Sequence, residues 1–396
     1  MRLFCIVGLP PSELTIYEMI LTQCAVCATE LGLSLGKKCG RCSTRYCGPE
    51  CQKQHWEGGG HDQLCKIIKK AGGAEQYNAN QKHAEAVAVA AEACAEDTKG
   101  QTCYICTQAL HWKTKEGLVR MCACRGTAGF AHVSCLAEQA KILVTEAEEN
   151  NLGVETRNER FTRWFACSLC EQQYHGVVYC ALGWACWKTY LGRPEESVFR
   201  LTAMRQLGAG LHSAERHEEL LSVQETELAM MRRRGDSEVD MLVVQSNLAI
   251  SYQNIGREEE ALRMRQGVYS GTLKLRGEEH KNTFVVAFNY GDSLRQLKRF
   301  EEAKTLMRKM IPVARRVLGE NHEQTLKMRW NYARALYEDP AATLDDLREA
   351  VTTLEETVRI AQRVLGGSHP LTGKIELRLR DARAALTARD TSSTSG

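Results

Sequence analysis

The sequence predicts a mostly α, multidomain protein in which two small cysteine-rich segments are followed by an α-solenoid of helix pairs. Three observations carry this. Of 18 cysteines, 16 precede Tyr174. Beyond Leu201 the chain repeats: Asn247-Leu248-Ala249, Asn289-Tyr290-Gly291 and Asn331-Tyr332-Ala333 recur every 42 residues. And 396 residues, 43% apolar and 26% charged, make an ordinary globular composition spread over more chain than one small core needs. The formal charge of +3 gives no case for a general nucleic-acid or membrane-surface binder.

The crowding of cysteines argues against a disulfide framework. Leu3 to Val7 is too short an apolar run for a secretory signal, and Pro10-Pro11 ends it. Metal-bound thiolates in a reducing, intracellular compartment, cytoplasmic or nuclear, are expected instead. No membrane span is expected either: Val177 to Trp187 is eleven residues, where a spanning helix needs about 20. That run predicts a buried helix with Trp184 and Trp187 on one face.

In chain order, residues 1–20 form a leader with Ser12 as a helix N-cap, and Cys5 is a small apolar residue. Residues 21–66 hold Cys24-x2-Cys27, Cys39-x2-Cys42, Cys47-x3-Cys51 and His61-x3-Cys65. A Cys-x2-Cys turn brings two sulfurs to one metal, and x3 spacing puts two ligands on one helical face. With Tyr46-Cys47, Cys51-Gln52-Lys53 and His55-Trp56, this stretch resembles the MYND zinc finger. The resemblance implies a cross-braced pair of sites, Cys24, Cys27, Cys47 and Cys51 on one zinc, Cys39, Cys42, His61 and Cys65 on the other. It also implies docking of short proline-containing peptides from partner proteins. His55 competes with His61 as ligand; the resemblance favours His61, because the family's ligand stands four residues before the last cysteine, and leaves His55 a packing or surface role. Lys37, Lys38, Arg41, Arg45 and Lys53 are expected to offset the thiolate charge.

Residues 67–100 are Ala-rich, with a break at Gly72-Gly73, and predict a helical spacer in which Cys94 is a buried thiol. Residues 101–195 carry the pairs Cys103/Cys106, Cys122/Cys124, His132/Cys135 and Cys167/Cys170, eight ligands for two tetrahedral zinc ions, and then the apolar helix. Cysteine as fourth ligand and histidine as fifth, with Phe130-Ala131-His132 and Cys135-Leu136, resembles the RING-CH, or RING-variant, finger. That resemblance implies Cys103, Cys106, His132 and Cys135 on one zinc and Cys122, Cys124, Cys167 and Cys170 on the other, about four zinc ions in the whole chain. It implies no catalytic residue, docking of a ubiquitin-conjugating enzyme through Ile105 and Trp164, and transfer of ubiquitin by proximity. The 31 residues between Cys135 and Cys167, Ser168 in place of a proline, and Glu171 where a basic residue often follows the last ligand depart from that pattern.

Residues 196–389 form the repeats. Gly256 to Ala261 matches Lys298 to Ala303, and Arg276-Gly277-Glu278-Glu279-His280, Leu318-Gly319-Glu320-Asn321-His322 and Leu365-Gly366-Gly367-Ser368-His369 share one loop pattern. A degenerate copy runs from His217 to Asp236, and Asp339-Pro340-Ala341-Ala342 accommodates a five-residue insertion. Each unit reads as two helices stopped by Gly. The unit resembles the tetratricopeptide repeat as found in kinesin light chains. This implies a superhelical groove in which Asn247, Asn289 and Asn331 hydrogen-bond a bound peptide; bonds between neighbouring helices are the other reading. The repeated histidines are expected to cap or pack, and Arg232-Arg233-Arg234 to sit at a helix end. Residues 390–396 are expected to be a disordered polar tail.

Two functions fit: a RING-type ubiquitin ligase whose repeats select substrate, or a non-enzymatic adaptor. A MYND-containing lysine methyltransferase is disfavoured by the absence of an Asn-His-x-x-Cys motif.

Overall fold

The structure, a computed structural model, describes residues 24–27, 29, 31 and 36–394. The leader 1–20, with Cys5 and Ser12, lies outside the described residues. Among those described there are fifteen α-helices and one sheet of two short strands. The chain divides into two compact units, residues 1–236 and 237–396.

The first unit begins at a hairpin, β1 (Lys37–Lys38) paired antiparallel with β2 (Arg45–Tyr46). Helices α1 (Pro49–Glu57) and α2 (His61–Lys70) follow, and Tyr46, fully buried, lies at the centre of this small cluster. Its hydroxyl lies 3.1 Å from Nδ1 of His55, whose ring is 4.8 Å from that of His61, so His55 packs as expected. Helix α3 (Ala74–Ala93) starts where the Ala74 N–H donates to the Cys42 carbonyl at 3.0 Å.

Although its composition reads as a spacer, α3 packs along helix α6 (Gly176–Tyr190). Gln76 Nε2 donates to the Lys188 carbonyl at 3.1 Å, and Lys188 Nζ lies 3.0 Å from His83 Nδ1. Helix α6 is buried all round, Trp184 and Trp187 included, as a helix apolar on every face must be. Helices α7 (Val198–Ser213) and α8 (His217–Arg234) form a hairpin whose first member packs on α6. Glycines make that approach close: a Cβ on Gly210 would meet the Tyr179 carbonyl oxygen at 2.7 Å, and one on Gly183 the Gln206 carbonyl oxygen at 3.1 Å. Gly235, left-handed at φ 70°, stops α8 after Arg232-Arg233-Arg234.

The 31 residues between Cys135 and Cys167 are helical. Helix α4 (Val133–Glu149) buries Leu136, Ala140, Val144 and Ala147, and α5 (Val154–Phe161) folds back to a 3₁₀ turn at Thr162–Trp164. Glu148 is held by both terminal nitrogens of Arg193 at 2.9 Å. One core joins α3, the second cysteine cluster, α4, α6, α7 and α8.

The second unit is a solenoid of helix pairs. These are α9 (Glu238–Asn254) with α10 (Glu258–Arg276), α11 (Lys281–Gln296) with α12 (Phe300–Leu318), and α13 (Glu323–Tyr337) with α14 (Leu344–Leu365); α15 (Pro370–Thr394) follows. The repeated loop is built from three parts. Gly277, Gly319 and Gly366 end the second helices at φ 82°, 93° and 88°, a conformation costly for other residues. The histidine side chains then cap the next helix, Nδ1 of His280, His322 and His369 accepting from the N–H of Asn282, Gln324 and Leu371 at 3.1, 3.1 and 3.2 Å. Thr283, Thr325 and Thr372, fully buried, donate to the carbonyls of Gly277, Gly319 and Gly366 at 2.7, 2.9 and 2.9 Å.

The insertion forms the longer turn expected of it, anchored where Lys304 Nζ meets Asp339 Oδ2 at 3.1 Å and closed by a Thr343/Asp346 capping box. Helix α15 runs on to Thr394, into the segment expected to be a polar tail, and Thr391 Oγ1 donates to the Thr387 carbonyl at 3.1 Å; residues 395–396 lie outside the described residues.

Candidate metal centres

The sixteen cysteine and histidine residues singled out by spacing gather into four tetrads. These are Cys24/Cys27/Cys47/Cys51, Cys39/Cys42/His61/Cys65, Cys103/Cys106/His132/Cys135 and Cys122/Cys124/Cys167/Cys170, and in each the four donor atoms lie within 4.8 Å of one another. Each finger therefore interleaves its pairs in a cross-brace.

A local turn recurs at three of the Cys-x2-Cys pairs. The N–H four residues after the first cysteine donates back to its carbonyl: Ser43 to Cys39 at 2.9 Å, Thr107 to Cys103 at 2.8 Å, Glu171 to Cys167 at 2.9 Å. Ser43, Thr107 and Glu171 all take left-handed φ, 64°, 62° and 58°. That conformation is unfavourable for L-residues outside glycine and is held here by the knuckle. The acidic Glu171 is thus a turn residue, and its side chain is exposed.

The spacing of the donors fits zinc. A tetrahedron with sulfur arms of about 2.3 Å has edges of about 3.8 Å, slightly shorter where nitrogen replaces sulfur. The first tetrad has sulfur–sulfur distances of 3.5 Å (Cys27–Cys47), 3.5 Å (Cys47–Cys51) and 3.7 Å (Cys51–Cys27). Cys39 and Cys65 are 3.8 Å apart, Cys124 and Cys167 3.7 Å. Histidine enters at the same range: His61 Nε2 is 3.4 Å from Cys42 Sγ, and His132 Nδ1 is 3.3 Å from Cys106 and 3.6 Å from Cys135. Zinc bound here would supply the folding energy that such small clusters lack, with no redox chemistry of its own.

Neighbouring groups orient the donors. His132 Nε2 lies 3.3 Å from the Ala109 carbonyl, which sets the proton on Nε2 and leaves Nδ1 facing the sulfurs. Cys103 and Cys167 sulfurs each accept a backbone N–H, from Ile105 and Leu169, at 3.4 Å. Glu116 accepts from both the backbone N–H and the hydroxyl of Ser134, at 2.7 and 2.8 Å, fixing the first turn of α4 beside Cys135. Gly129 is required for space: at φ 85°, an added Cβ would lie 2.6 Å from the Cys124 Cβ.

Of the two residues expected to dock a partner, Ile105 is exposed and Trp164 is not. Trp164 is 0% exposed, packed edge-on to Tyr190 at 5.9 Å, because the α4–α5 hairpin carries its turn into the core. Trp164 is accordingly a core residue and not a docking residue. Beside the knuckles of this finger Ile105, Leu110, Trp112 and Leu169 are exposed, and on its helical insert Ile142 and Val154 are exposed as well. Spacing overlooked Leu169; its signal was an apolar residue inside the last Cys-x2-Cys, mirroring Ile105 in the first.

The asparagine ladder is uneven. Asn247 is exposed, Asn289 half-buried and Asn331 1% exposed. Asn331 lies against Gly291 of α11, and neither its amide nitrogen nor its oxygen has a hydrogen-bond partner. Asn331 therefore does not line a peptide groove, nor does it bond a neighbouring helix.

Family models match both cysteine-rich segments and parts of the repeats. Residues 24–65 match the family model of the MYND finger, 103–170 that of the RING-variant domain, and 240–315 and 342–371 two models of the tetratricopeptide repeat. Among solved structures, one of kinesin-light-chain nearly identical TPR-like repeats from Podosopora anserina is similar at 18% identity. It covers 59% of this chain and 97% of its own with a TM-score of 0.42. BtubC from P. vanneervenii is similar at 13% identity, covering 67% of this chain and 91% of its own with a TM-score of 0.39. No curated protein matches the chain. No described helix is long and apolar enough to cross a membrane.

Proposed function

We propose that this zinc-binding, modular interaction protein is a RING-type ubiquitin ligase. Its second finger recruits a ubiquitin-loaded conjugating enzyme, and its repeats, with the MYND finger, hold the substrate. The observation that carries this reading is the pair of exposed knuckle tips. Ile105 and Leu169, 37% and 52% exposed, stand inside the first and last Cys-x2-Cys pairs of one finger, and Tyr104 OH and Ser168 Oγ meet between those pairs at 3.0 Å. Two apolar side chains on rigid turns lose little entropy on binding.

In this reading the chain does no acid, base or nucleophilic work. It orients the thioester for attack by a substrate lysine, and proximity supplies the rate. Asn247 and the half-buried Asn289 are the repeat amides left to meet a peptide.

The test is ubiquitin discharge from a panel of loaded conjugating enzymes. Discharge by the wild type, lost in Ile105→Ala and in Leu169→Ala with zinc content unchanged, supports the ligase. The second reading, a non-enzymatic adaptor, is favoured by Glu171 in place of a basic residue and by the burial of Trp164. Absence of discharge with every enzyme, zinc being intact, would select it.

A further inference from the structure

The four tetrads are not equally shielded. Cys39, Cys42, His61 and Cys65 are all buried, at 7%, 1%, 0% and 0% exposure. In the second finger, each tetrad contains at least one fully screened sulfur, Cys103 at 1% and Cys167 at 0%, that also accepts a backbone N–H. The tetrad Cys24/Cys27/Cys47/Cys51 also has one screened sulfur, Cys24 at 2%, but differs in the other three: Cys27 and Cys47 are both exposed and Cys51 is half-buried. Its exposed sulfurs, Cys27 and Cys47, lie 3.5 Å apart.

Four thiolates on one zinc leave a net charge of minus two that hydrogen-bond donors must spread. The Thr29 hydroxyl, 3.0 Å from Cys27 Sγ, is the side-chain donor seen at this tetrad among the described residues. Reaction of a zinc thiolate with an electrophile is governed by thiolate character and access. Two centres hold four thiolates, Cys24/Cys27/Cys47/Cys51 and Cys122/Cys124/Cys167/Cys170, while a histidine replaces one sulfur in the other two, so access decides between the two four-thiolate centres.

We infer that Cys24/Cys27/Cys47/Cys51 is a peroxide-sensitive centre, at which oxidation joins Cys27 to Cys47 and releases one zinc while the other three centres hold. The reaction balances with hydrogen peroxide as oxidant. The Cys27 thiolate attacks a peroxide oxygen and the O–O bond breaks, giving a sulfenic acid and hydroxide. The Cys47 thiolate attacks the sulfenic sulfur, forming the S–S bond and expelling a second hydroxide, and two protons convert both hydroxides to water. The two sulfurs together lose two electrons and the peroxide gains them. Cys24 and Cys51 alone are too few ligands to retain the ion.

The consequence is local. The Cys39/Cys42/His61/Cys65 tetrad ties together the hairpin and α2, and the Ala74 N–H bond to the Cys42 carbonyl ties that tetrad to α3. Oxidation therefore alters the end of the MYND finger that carries Cys24 and Cys27 and leaves the rest folded, so a peptide docked on that finger would be released by oxidant and recovered on reduction with zinc. The site rests on the zinc tetrads and is independent of whether the second finger transfers ubiquitin.

The test treats the zinc-loaded full chain with hydrogen peroxide. Released zinc is followed with a chromophoric chelator, and cysteines are mapped by differential alkylation and mass spectrometry. The expected result is one zinc equivalent released at least about tenfold faster than the others, since oxidation follows access. It coincides with a Cys27–Cys47 linked peptide and unmodified Cys39, Cys42 and Cys65. Release spread over the tetrads at comparable rates, or a first disulfide within Cys122/Cys124/Cys167/Cys170, would overturn the inference. Cys27→Ser should hold three zinc ions and lose the fast phase; a fast phase that persists contradicts the assignment. Should that variant fail to fold, the wild-type map decides alone.

Discussion

Tyr104 OH lies 3.0 Å from Ser168 Oγ, a contact between the first and last knuckles of the second finger and so between its two metal centres. Cys103 and Cys106 belong to one tetrad, Cys167 and Cys170 to the other. A neutral hydrogen bond of this kind contributes about 1 kcal/mol net. Tyr104→Phe and Ser168→Ala should each destabilise the finger by about that amount, and the double variant should cost no more than either single one. Denaturant unfolding at fixed excess zinc measures the cycle; strictly additive losses would mean that the two side chains are not coupled.

Trp164 and Ile105 predict opposite phenotypes. Truncating the fully buried Trp164 to Ala should cost about 3–5 kcal/mol and lower the unfolding midpoint of the first unit. Ile105→Ala removes an exposed side chain and should change stability by no more than about 0.5 kcal/mol. Thermal unfolding of the two variants side by side distinguishes a core residue from a docking residue.

The repeat loops predict a capping effect. His322→Ala removes the acceptor of the Gln324 N–H, and α13 should lose about 1 kcal/mol at its first turn. Amide hydrogen exchange at Gln324 should accelerate accordingly.

His83 makes the first unit sensitive to acid. Burial, and then the neighbouring Lys188 cation, push its imidazole down from the ordinary 6.5 to about 3. The folded state thus binds fewer protons than the unfolded chain below pH 6.5, so the stabilisation is complete above that value and is lost as pH falls toward about 3. The slope reaches about 1.4 kcal/mol per pH unit. Unfolding midpoints at pH 7 and 5.5, compared between wild type and His83→Gln, should show a flatter dependence in the variant; equal slopes would mean that His83 titrates normally.

The features legible in the sequence were those set by short spacing. Cysteines two or three residues apart can reach one metal only through a turn or a helical face, and Gly before His at a 42-residue period marks helix ends. Positions governed by tertiary packing were not legible. Trp164 reads from the sequence as a docking residue because nothing local shows that the α4–α5 hairpin carries its turn into the core. Asn331 shares its register with the exposed Asn247, yet α11 closes over it through Gly291. Thr283, Thr325 and Thr372 sit three residues beyond the repeated histidines and could have been found by the same period.

Zinc stoichiometry bears on all four tetrads at once. Native mass spectrometry of the full chain, purified with zinc and freed of loosely held metal, should find about four ions per chain, as four tetrahedral donor sets require. The Cys122→Ser variant should find about three. A wild-type value near two would mean that one finger is not a two-metal cross-brace, and the arrangement described for its knuckles, Ile105 and Leu169 included, would fall with it.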